Sequence, residues 1–361
     1  MTMTSPFAAQ QKAVGATFVE RFGVNLPDRY GDPADEYRAV RSGAGLIDMS
    51  FRGLLELRGS ERLRWLNGRI TNEVKALKAG EGMLAAVLTA KGHVVSDLAV
   101  FGLGDAVWID LPRDRVEPVR SAFERYIIAD DVQAADASNR FARLAVVGPR
   151  ASRVLADAIG EDVPEMPHWH HAERRLGDVP LRIVASRWLA LPGFDAIVPV
   201  EAADRVWEAL RRAGRAADLR PVGMAALDWL RVEAGWSWCG VDFDESNLLM
   251  EALTTSHVSF TKGCYVGQEV VIRIEHQGHL NKKLCGLVLD GTTVPARGAS
   301  VVRGDRTVGQ VTSAVRSPAL NRAIALGYVR RECWEPGTRL RIAAEPEPLE
   351  AETAALPFLA G

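Results

Sequence analysis

Hydrophobic and polar positions alternate with two different periods along the chain, which predicts interleaved helices and strands. The segment "PADEYRAVRSGAGLID", residues 33 to 48, has the pattern of a short helix that ends at a pair of glycines. An extended segment follows. "SERLRWLNGRITNEV" then places Leu63, Leu66 and Ile70 at helical spacing over residues 60 to 74. A helix therefore leads into a sheet, and a second helix with an inward apolar face comes next.

The middle of the chain continues this mixture. "GMLAAVLTAKGHVVSDLAVFGLGDAVWIDLP" predicts three strands in a meander, with turns at "AKG" and "GLGD". A helical pattern covers residues 113 to 127, and a strand, a "GPR" turn and another helix follow it. After two strands between residues 177 and 200, "EAADRVWEALRRAG" predicts an amphipathic helix with Val206, Trp207 and Leu210 facing inward.

The C-terminal part consists of short strands broken by glycine or proline, which predicts a small β-barrel. With 361 residues the chain exceeds the usual length of one domain. We expect an α+β protein in which residues 1–280 form two interleaved domains and residues 281–350 form the barrel. Residues 351–361 are then a tail, and the stretch from residue 345 onward is expected to be loosely held.

Composition excludes several classes of protein. Apolar residues make up 47% and charged residues 25% of the chain, and 44 basic and 46 acidic side chains give a formal charge of −2. No global field draws such a protein to nucleic acid or to an anionic membrane. The N-terminal stretch lacks a signal pattern and no long apolar run occurs, so we expect a cytoplasmic protein.

Cysteines and histidines show no pattern of a metal site. The four cysteines contain no CxxC pair, which argues against a disulfide framework and a zinc ribbon. The histidine clusters "HWHH" (168 to 171) and "HQGH" (276 to 279) lack the spacing and carboxylates of a known metal motif. We therefore expect no bound metal.

The stretch "KGCYVGQEVVIR", residues 262 to 273, carries the candidate chemistry. Gly263 and Gly267 leave room for positive φ angles or for a ligand beside Cys264. If the segment is extended, Lys262 shares a face with Cys264 and favours its thiolate. The alternative is that Cys264 is a small buried residue, that Lys262 is solvated, and that the glycines only form a turn.

Two charged residues in the same stretch admit two interpretations. Glu269 and Arg273 share a face either on a helix that begins near Gly267 or on a strand. They form a weak surface ion pair, or else Arg273 orients Glu269 or meets a ligand carboxylate through its planar fork.

The motif resembles the signature of the YgfZ-type folate-binding proteins, a branch of the superfamily that contains the glycine cleavage T-protein, or aminomethyltransferase. "RYGDPADEYRAVRSGAGLIDMS", "LPGFDAIVP" and "GQVTSAVRSPALNRAIALGYV" resemble further segments of that superfamily in the same order. The resemblance implies a three-domain cloverleaf, the aminomethyltransferase folate-binding fold, around a cavity for tetrahydrofolate or a one-carbon derivative.

The resemblance also implies roles for individual residues. Glu233 in "RVEAG" matches a glutamate that hydrogen-bonds the pterin ring, although on its own it reads as a solvated or capping residue of a helix. Asp97 in "VVSDLAVF" matches the second of two adjacent aspartates of the aminomethyltransferases, one of which assists one-carbon transfer beside the folate; Ser96 stands in place of the first. Without the resemblance Asp97 reads as a polar strand residue that faces solvent. We expect the folate site to include these residues of the motif: Lys262, Tyr265, Gln268, Glu269 and Arg273.

Three functions follow from these expectations. The first is a tetrahydrofolate-binding protein that uses Cys264 to assist the assembly or repair of iron–sulfur proteins. The second is a folate-dependent aminomethyl or methyl transferase that acts with Asp97 on a lipoyl carrier or a small amine. The third is a folate-binding module without chemistry.

Overall fold

The chain folds into three sheets, a closed barrel and the helices that pack on them. The structure is a computed structural model that describes residues 2–278 and 280–359. The strands within these residues are β1 (Met3–Thr4), β2 (Thr17–Arg21), β3 (Val24–Arg29), β4 (Ala44–Asp48), β5 (Arg52–Arg58), β6 (Gly82–Leu88), β7 (Val94–Gly102), β8 (Val107–Pro112), β9 (Gln133–Asp136), β10 (Phe141–Val147), β11 (His171–Leu176), β12 (Val179–Ala185), β13 (Gly193–Pro199), β14 (Leu219–Val222), β15 (Lys282–Leu289), β16 (Ser300–Arg303), β17 (Arg306–Ser317), β18 (Arg322–Arg330), β19 (Arg339–Ile342) and β20 (Leu349–Ala354).

Helices connect or cover these strands. The α-helices of the described residues are α1 (Ala8–Ala13), α2 (Pro33–Ser42), α3 (Arg62–Asn67), α4 (Val116–Glu124), α5 (Ala151–Ile159), α6 (Ala203–Ala213), α7 (Met224–Glu233), α8 (Leu249–Ala252) and α9 (Gln268–Gln277). Short 3-10 helices cover Arg113–Arg115, Val200–Ala202, Gly214–Ala217, Thr255–His257 and Arg331–Cys333.

The two larger sheets are mostly antiparallel. One has the order β6-β7-β8-β5-β9 and contains the expected meander, and the other has the order β11-β12-β13-β10-β4-β14. In the second sheet β14 runs parallel to β4, and a small sheet with the order β1-β3-β2 forms near the N-terminus. The predicted α+β class is confirmed.

Local sequence explains why the first two predicted helices have these bounds. Asp32 caps α2 by accepting a hydrogen bond from the amide of Ala34, and Pro33 starts the helix. The expected helix over residues 60 to 74 is too long, because α3 ends at Asn67. Beyond that point the amide of Thr71 donates to Ala86 of β6 at 3.0 Å, so the chain pairs with the sheet instead of continuing the helix.

Helix α6 behaves as its apolar spacing predicts. Val206, Trp207 and Leu210 are buried in a cluster that also contains Phe7. Helix α7 differs, because residues on several of its faces are buried, including Arg231 and Glu233. It therefore passes through the interior, between the N-terminal segments and the barrel.

The C-terminal strands form the predicted closed barrel, with the order β15-β18-β17-β16-β19-β20. The expectation of a loosely held chain from residue 345 onward is wrong. Strand β20 pairs with both β15 and β19 and so closes the barrel, and the amides of Phe358 and Leu359 donate to the backbone carbonyl of Glu233. The domain boundary near residue 281 stays a prediction.

A buried carboxylate joins α7 to the barrel. Asp242 accepts hydrogen bonds from Arg231 at 2.9 Å and from the barrel hydroxyls of Thr312 and Ser313 at 2.7 and 2.6 Å. Arg231 also lies over the ring of Trp238, with its guanidinium carbon 4.3 Å from the ring centroid. Both charged groups are almost entirely buried, and Arg231 also pairs with Asp228 at 2.7 Å, so its guanidinium lies between two carboxylates.

We expect Asp242→Ala to lower the free energy of unfolding by about 1–3 kcal/mol, because it removes one of the two carboxylates paired with the buried Arg231 guanidinium and an acceptor of the Thr312 and Ser313 hydroxyls. Denaturant titration measures this change. Glu245→Ala, three residues away and exposed, is the matched control and should change stability by less than about 0.5 kcal/mol. Equal stability of the two variants would contradict this role of Asp242.

Candidate functional site

Five charged side chains of alternating sign form a buried row, which we call the charge chain: Asp97, Arg52, Asp110, Arg143 and Asp195. The Arg52 guanidinium lies 3.5 Å from Asp97 and 3.1 Å from Asp110, and Arg143 lies 2.6 Å from Asp110 and also contacts Asp195. The first three residues lie on β7, β5 and β8 of one sheet, and the other two lie on β10 and β13 of the other sheet. The contact between Asp110 and Arg143 therefore joins the two large sheets.

Burial and neighbouring charges act against each other in this row. Burial lowers the pKa of the Arg52 and Arg143 guanidinium groups, but the adjacent aspartates outweigh it and raise both values. Burial also raises the pKa of Asp195, against the opposing charge of Arg143. With three aspartates and two arginines the row carries one uncompensated negative charge when all five groups are ionised.

A cavity of about 680 Å³ opens at the Asp97 end of the charge chain. Its walls come from the segment after α7, from α8, from the end of α9 and from the barrel, and they include Trp236, Glu251, His257, Glu275 and Cys285. This volume lies within the range of pockets that bind drug-sized ligands. Asp97 and Trp236 also line a narrow recess of about 20 Å³, whose wall contains Arg52, Asp110 and Arg143.

Several buried polar atoms near this recess have no hydrogen-bond partner among the described residues. They are Oδ1 of Asp97, Oδ1 of Asp195, and the indole nitrogens of Trp169 and Trp188. Buried polar atoms are normally paired, and exceptions point to a ligand, to water or to strain. The free atoms include both acceptors and donors.

The structure distinguishes Asp97 from its neighbour Ser96. Asp97 lines the cavity and is buried, not solvent-facing. Adjacent residues of a strand point to opposite faces, and Ser96 is fully buried and donates to the carbonyl of Asp97. Of these two positions, Asp97 is the one that presents a carboxylate to the cavity.

His257 lies on the same cavity wall and was missed from the sequence. Its Nδ1 lies 3.1 Å from the hydroxyl of Thr254, and burial lowers its pKa although the charge of Asp97 opposes this shift. A neutral imidazole close to a carboxylate is a group that can accept or relay a proton. No metal spacing or motif marked it in the sequence.

Glu233 is fully buried, so it is not the solvated residue that its helix alone suggested. Its carboxylate accepts hydrogen bonds from Tyr37 at 2.7 Å, from Arg41 at 2.6 Å and from Ser317. These partners come from α2 and from the barrel, and Glu233 is not among the residues that line the 680 Å³ cavity. In the structure its carboxylate joins parts of the fold, and its expected contact with a pterin stays a prediction.

The ammonium group of Lys262 is buried, and it binds backbone carbonyls instead of facing the thiol of Cys264. Its ammonium donates to the carbonyls of Asn67, Ile70 and Asn72 at 2.6 to 2.8 Å, and it lies 5.0 Å from the ring centroid of Tyr265. Burial lowers the pKa of Lys262 to about 8. The lysine therefore anchors the motif to the loop that follows α3.

The rest of the motif forms a turn and the start of α9. Gly267 has a φ of +82°, as its glycine predicts, and a Cβ atom there would lie 2.6 Å from the carbonyl oxygen of Thr89. Cys264 is exposed, so it is not a small core residue. Glu269 and Arg273 lie on α9 and form an exposed ion pair at 2.8 Å. Gln268 is half-buried at the first position of the helix.

Cys264 and its exposed neighbours lie away from the cavity wall. The described residues that line the 680 Å³ cavity include Ile274 and Glu275 of α9 but none of the motif residues from Lys262 to Arg273. The sequence thus identified two separate places, the cavity wall at Asp97 and the surface at Cys264. It missed Arg52, Asp110, Arg143 and Asp195, although the last three each interrupt an otherwise apolar strand.

The structure also bears on metal binding and on membrane-spanning helices. Among the described residues no group of three or more His, Cys, Asp or Glu side chains is arranged to hold a metal ion, and His279 of the second histidine cluster lies outside them. The helices of the described residues are too short or too polar to cross a membrane.

Comparison with known proteins places the chain in a family. The profile of the GCVT N-terminal domain matches residues 7–262, and that of the glycine cleavage T-protein C-terminal barrel domain matches residues 282–359. Aminomethyltransferases of Streptomyces coelicolor and Rubrobacter xylanophilus are each 31% identical to the chain. The alignments cover 97% and 98% of this chain and 95% and 93% of those proteins.

A solved structure shows the same fold. The glycine cleavage system aminomethyltransferase T from Bartonella henselae superposes with a TM-score of 0.92 at 23% identity, covering 100% of this chain and 99% of that one. The expected aminomethyltransferase fold with its C-terminal barrel is confirmed. The chain belongs to the glycine cleavage T-protein family, whose aminomethyltransferases use tetrahydrofolate as the one-carbon carrier.

Proposed function

We propose that this protein binds tetrahydrofolate in the 680 Å³ cavity and catalyses folate-dependent aminomethyl transfer. The observation that carries the proposal is the free Oδ1 of Asp97 at the cavity wall, with its Oδ2 3.5 Å from Arg52. The relatives named aminomethyltransferase support transfer chemistry more strongly than the assembly of iron–sulfur proteins.

The residues present fit a folate. A pterin edge presents amino and ring N–H groups, and the carboxylates of Glu251 and Glu275 on the cavity wall can accept hydrogen bonds from such donors. Trp236 offers an aromatic face where the cavity meets the recess. When bound, tetrahydrofolate supplies the nitrogen atoms that accept the one-carbon unit.

Asp97 then acts as the proton-handling residue. Arg52 fixes one carboxylate oxygen through its charge, and this leaves Oδ1 to hold a proton of the reacting amine at the cavity wall. His257 is another titratable group on that wall, and burial lowers its pKa and so favours the neutral imidazole. We propose a lipoyl carrier or a small amine as the donor of the aminomethyl group.

We expect Asp97→Asn to reduce the rate of transfer by about 10²- to 10⁴-fold while folate affinity changes by less than about threefold, because the amide keeps the shape but not the basicity. Release of ammonia and formation of methylenetetrahydrofolate from an aminomethylated lipoyl carrier measure the rate. Quenching of tryptophan fluorescence by folinic acid measures binding, since Trp236 lines the cavity.

The control for this variant is Asp162→Asn, which removes an exposed carboxylate and should leave both quantities unchanged. A protein that binds folinic acid but releases no ammonia from the carrier would contradict the transferase and leave a folate-binding module. Failure of folinic acid to bind would contradict the proposal as a whole.

A specific observation favours a second candidate function. Cys264 is exposed, whereas Cys239, Cys285 and Cys333 are buried, and burial raises the pKa of Cys239 to about 12 and of Cys285 to about 11. The turn held by Lys262 therefore presents one accessible thiol. We propose, as the alternative, that the protein belongs to the YgfZ-type branch and that Cys264 assists iron–sulfur proteins by thiol exchange or by transient ligation.

We expect Cys264→Ala to lower the activity of iron–sulfur enzymes in cells that depend on this protein, and to leave folinic acid binding unchanged because the residue lies off the cavity wall. Thr261→Ala changes an exposed neighbour that has no thiol, and cells that carry this variant should have full iron–sulfur enzyme activity. Full activity with Cys264→Ala would contradict the thiol function without affecting the transferase proposal.

A further inference from the structure

A second pocket, of about 250 Å³, reaches the charge chain from another direction. It shares Met49, Arg52 and Arg143 with the narrow recess, but it has no lining residue in common with the 680 Å³ cavity. Its third arginine is Arg113, and the N-terminal segment contributes Met3 to its wall. Three guanidinium groups therefore converge on a small space that the proposed folate site does not use.

Arg113 is the group in this pocket whose charge is not neutralised. Its guanidinium donates to the side-chain oxygen of Asn139 and lies 3.4 Å from the sulfur of Met3, and among the described residues no carboxylate lies within 4 Å of it. Burial lowers the pKa of Arg113, and the more distant Asp136 only partly offsets this effect. A half-buried cation without a carboxylate is costly unless an anion joins it.

Arg143 supplies an independent second observation. Its two terminal nitrogens are engaged by Asp110 and Asp195, but its Nε is buried and has no acceptor among the described residues. Since Arg143 also lines the pocket, an acceptor is missing on the same wall that carries Arg113. Arg113 therefore lacks a carboxylate, and Arg143, although paired with two carboxylates, lacks one acceptor for its Nε.

We propose that this pocket binds a small monocarboxylate with a short apolar chain. The terminal nitrogens of Arg52 and Arg143 are engaged by aspartates, and the planar fork of Arg113 matches the two oxygens of a carboxylate. A single negative charge balances Arg113, whereas a dianion would add repulsion from Asp110. The remaining walls include Pro6, Val24 and Phe141, which suit an aliphatic chain.

The proposal does not depend on the proposed function, because the pocket and the cavity have different walls. Two methionines line the pocket, Met3 and Met49, and Met250 lines the cavity. Labelling of the methionine methyl groups with carbon-13 therefore reports on both places in one NMR spectrum. A titration with propionate should shift the Met3 and Met49 signals in a saturable way and leave Met250 unchanged.

Propionamide, which has the same shape without the charge, should bind at least about tenfold more weakly than propionate. Arg113→Gln should weaken propionate binding by a similar factor. Arg153→Gln on the exposed face of α5 is the matched control and should have no effect. Arg113→Lys keeps the charge without the planar fork, so its affinity for propionate should lie between that of the unaltered protein and that of Arg113→Gln. It also provides the test if Arg113→Gln does not fold.

The proposal is overturned if propionate does not shift Met3, if propionamide binds as well as propionate, or if Arg113→Gln binds propionate as tightly as the unaltered protein. Tighter binding of inorganic phosphate than of propionate would assign the pocket to an inorganic oxyanion and overturn the carboxylate. A titration with folinic acid that shifts Met250 but not Met3 tests the proposed function separately.

Discussion

The arrangement of the interior depends on the ion pairs that link five buried charged side chains in one row. Each guanidinium of the charge chain lies between two carboxylates, and the link from Asp110 to Arg143 crosses from one large sheet to the other. In a low-dielectric interior such contacts hold only if the strands that carry them keep their register. The same constraint leaves a carboxylate oxygen free at one end of the row, where Asp97 meets the cavity. Structure and candidate chemistry thus rest on one set of ionic contacts.

Much of the fold follows from patterns that the sequence shows locally. The meander of β6, β7 and β8, the inward face of α6 and the barrel strands are each marked by periodicity and by turn residues. The length of α3 and the order of β20 in the barrel are not marked in this way. Both depend on contacts with distant residues: Thr71 pairs with Ala86, and β20 pairs with β15. Local propensity does not contain that information.

The residues of the candidate site, too, could be predicted only in part from local sequence. The resemblance to a known family pointed to Asp97, but the residues that hold its carboxylate come from strands far apart in the chain, and nothing in their spacing connects Arg52 with Asp195. Isolated charges within apolar strands, such as Asp110 in "VWIDLP", were the available signal. Burying a charge costs free energy unless an opposite charge pairs with it. Glu233 shows the converse: a residue can match a family position while its carboxylate is occupied by contacts within the protein.

The pairing of β15 with β20 has a consequence for how the protein is made. The two strands are the first and the last of the barrel along the chain, so the barrel closes only after the ribosome has synthesised all the strands between them. Until then β15 has an open edge, and non-local pairing of this kind is slow to form. Synthesis from the N-terminus would allow the two large sheets to assemble first. During that interval the edge of β15 is open to pairing with other chains.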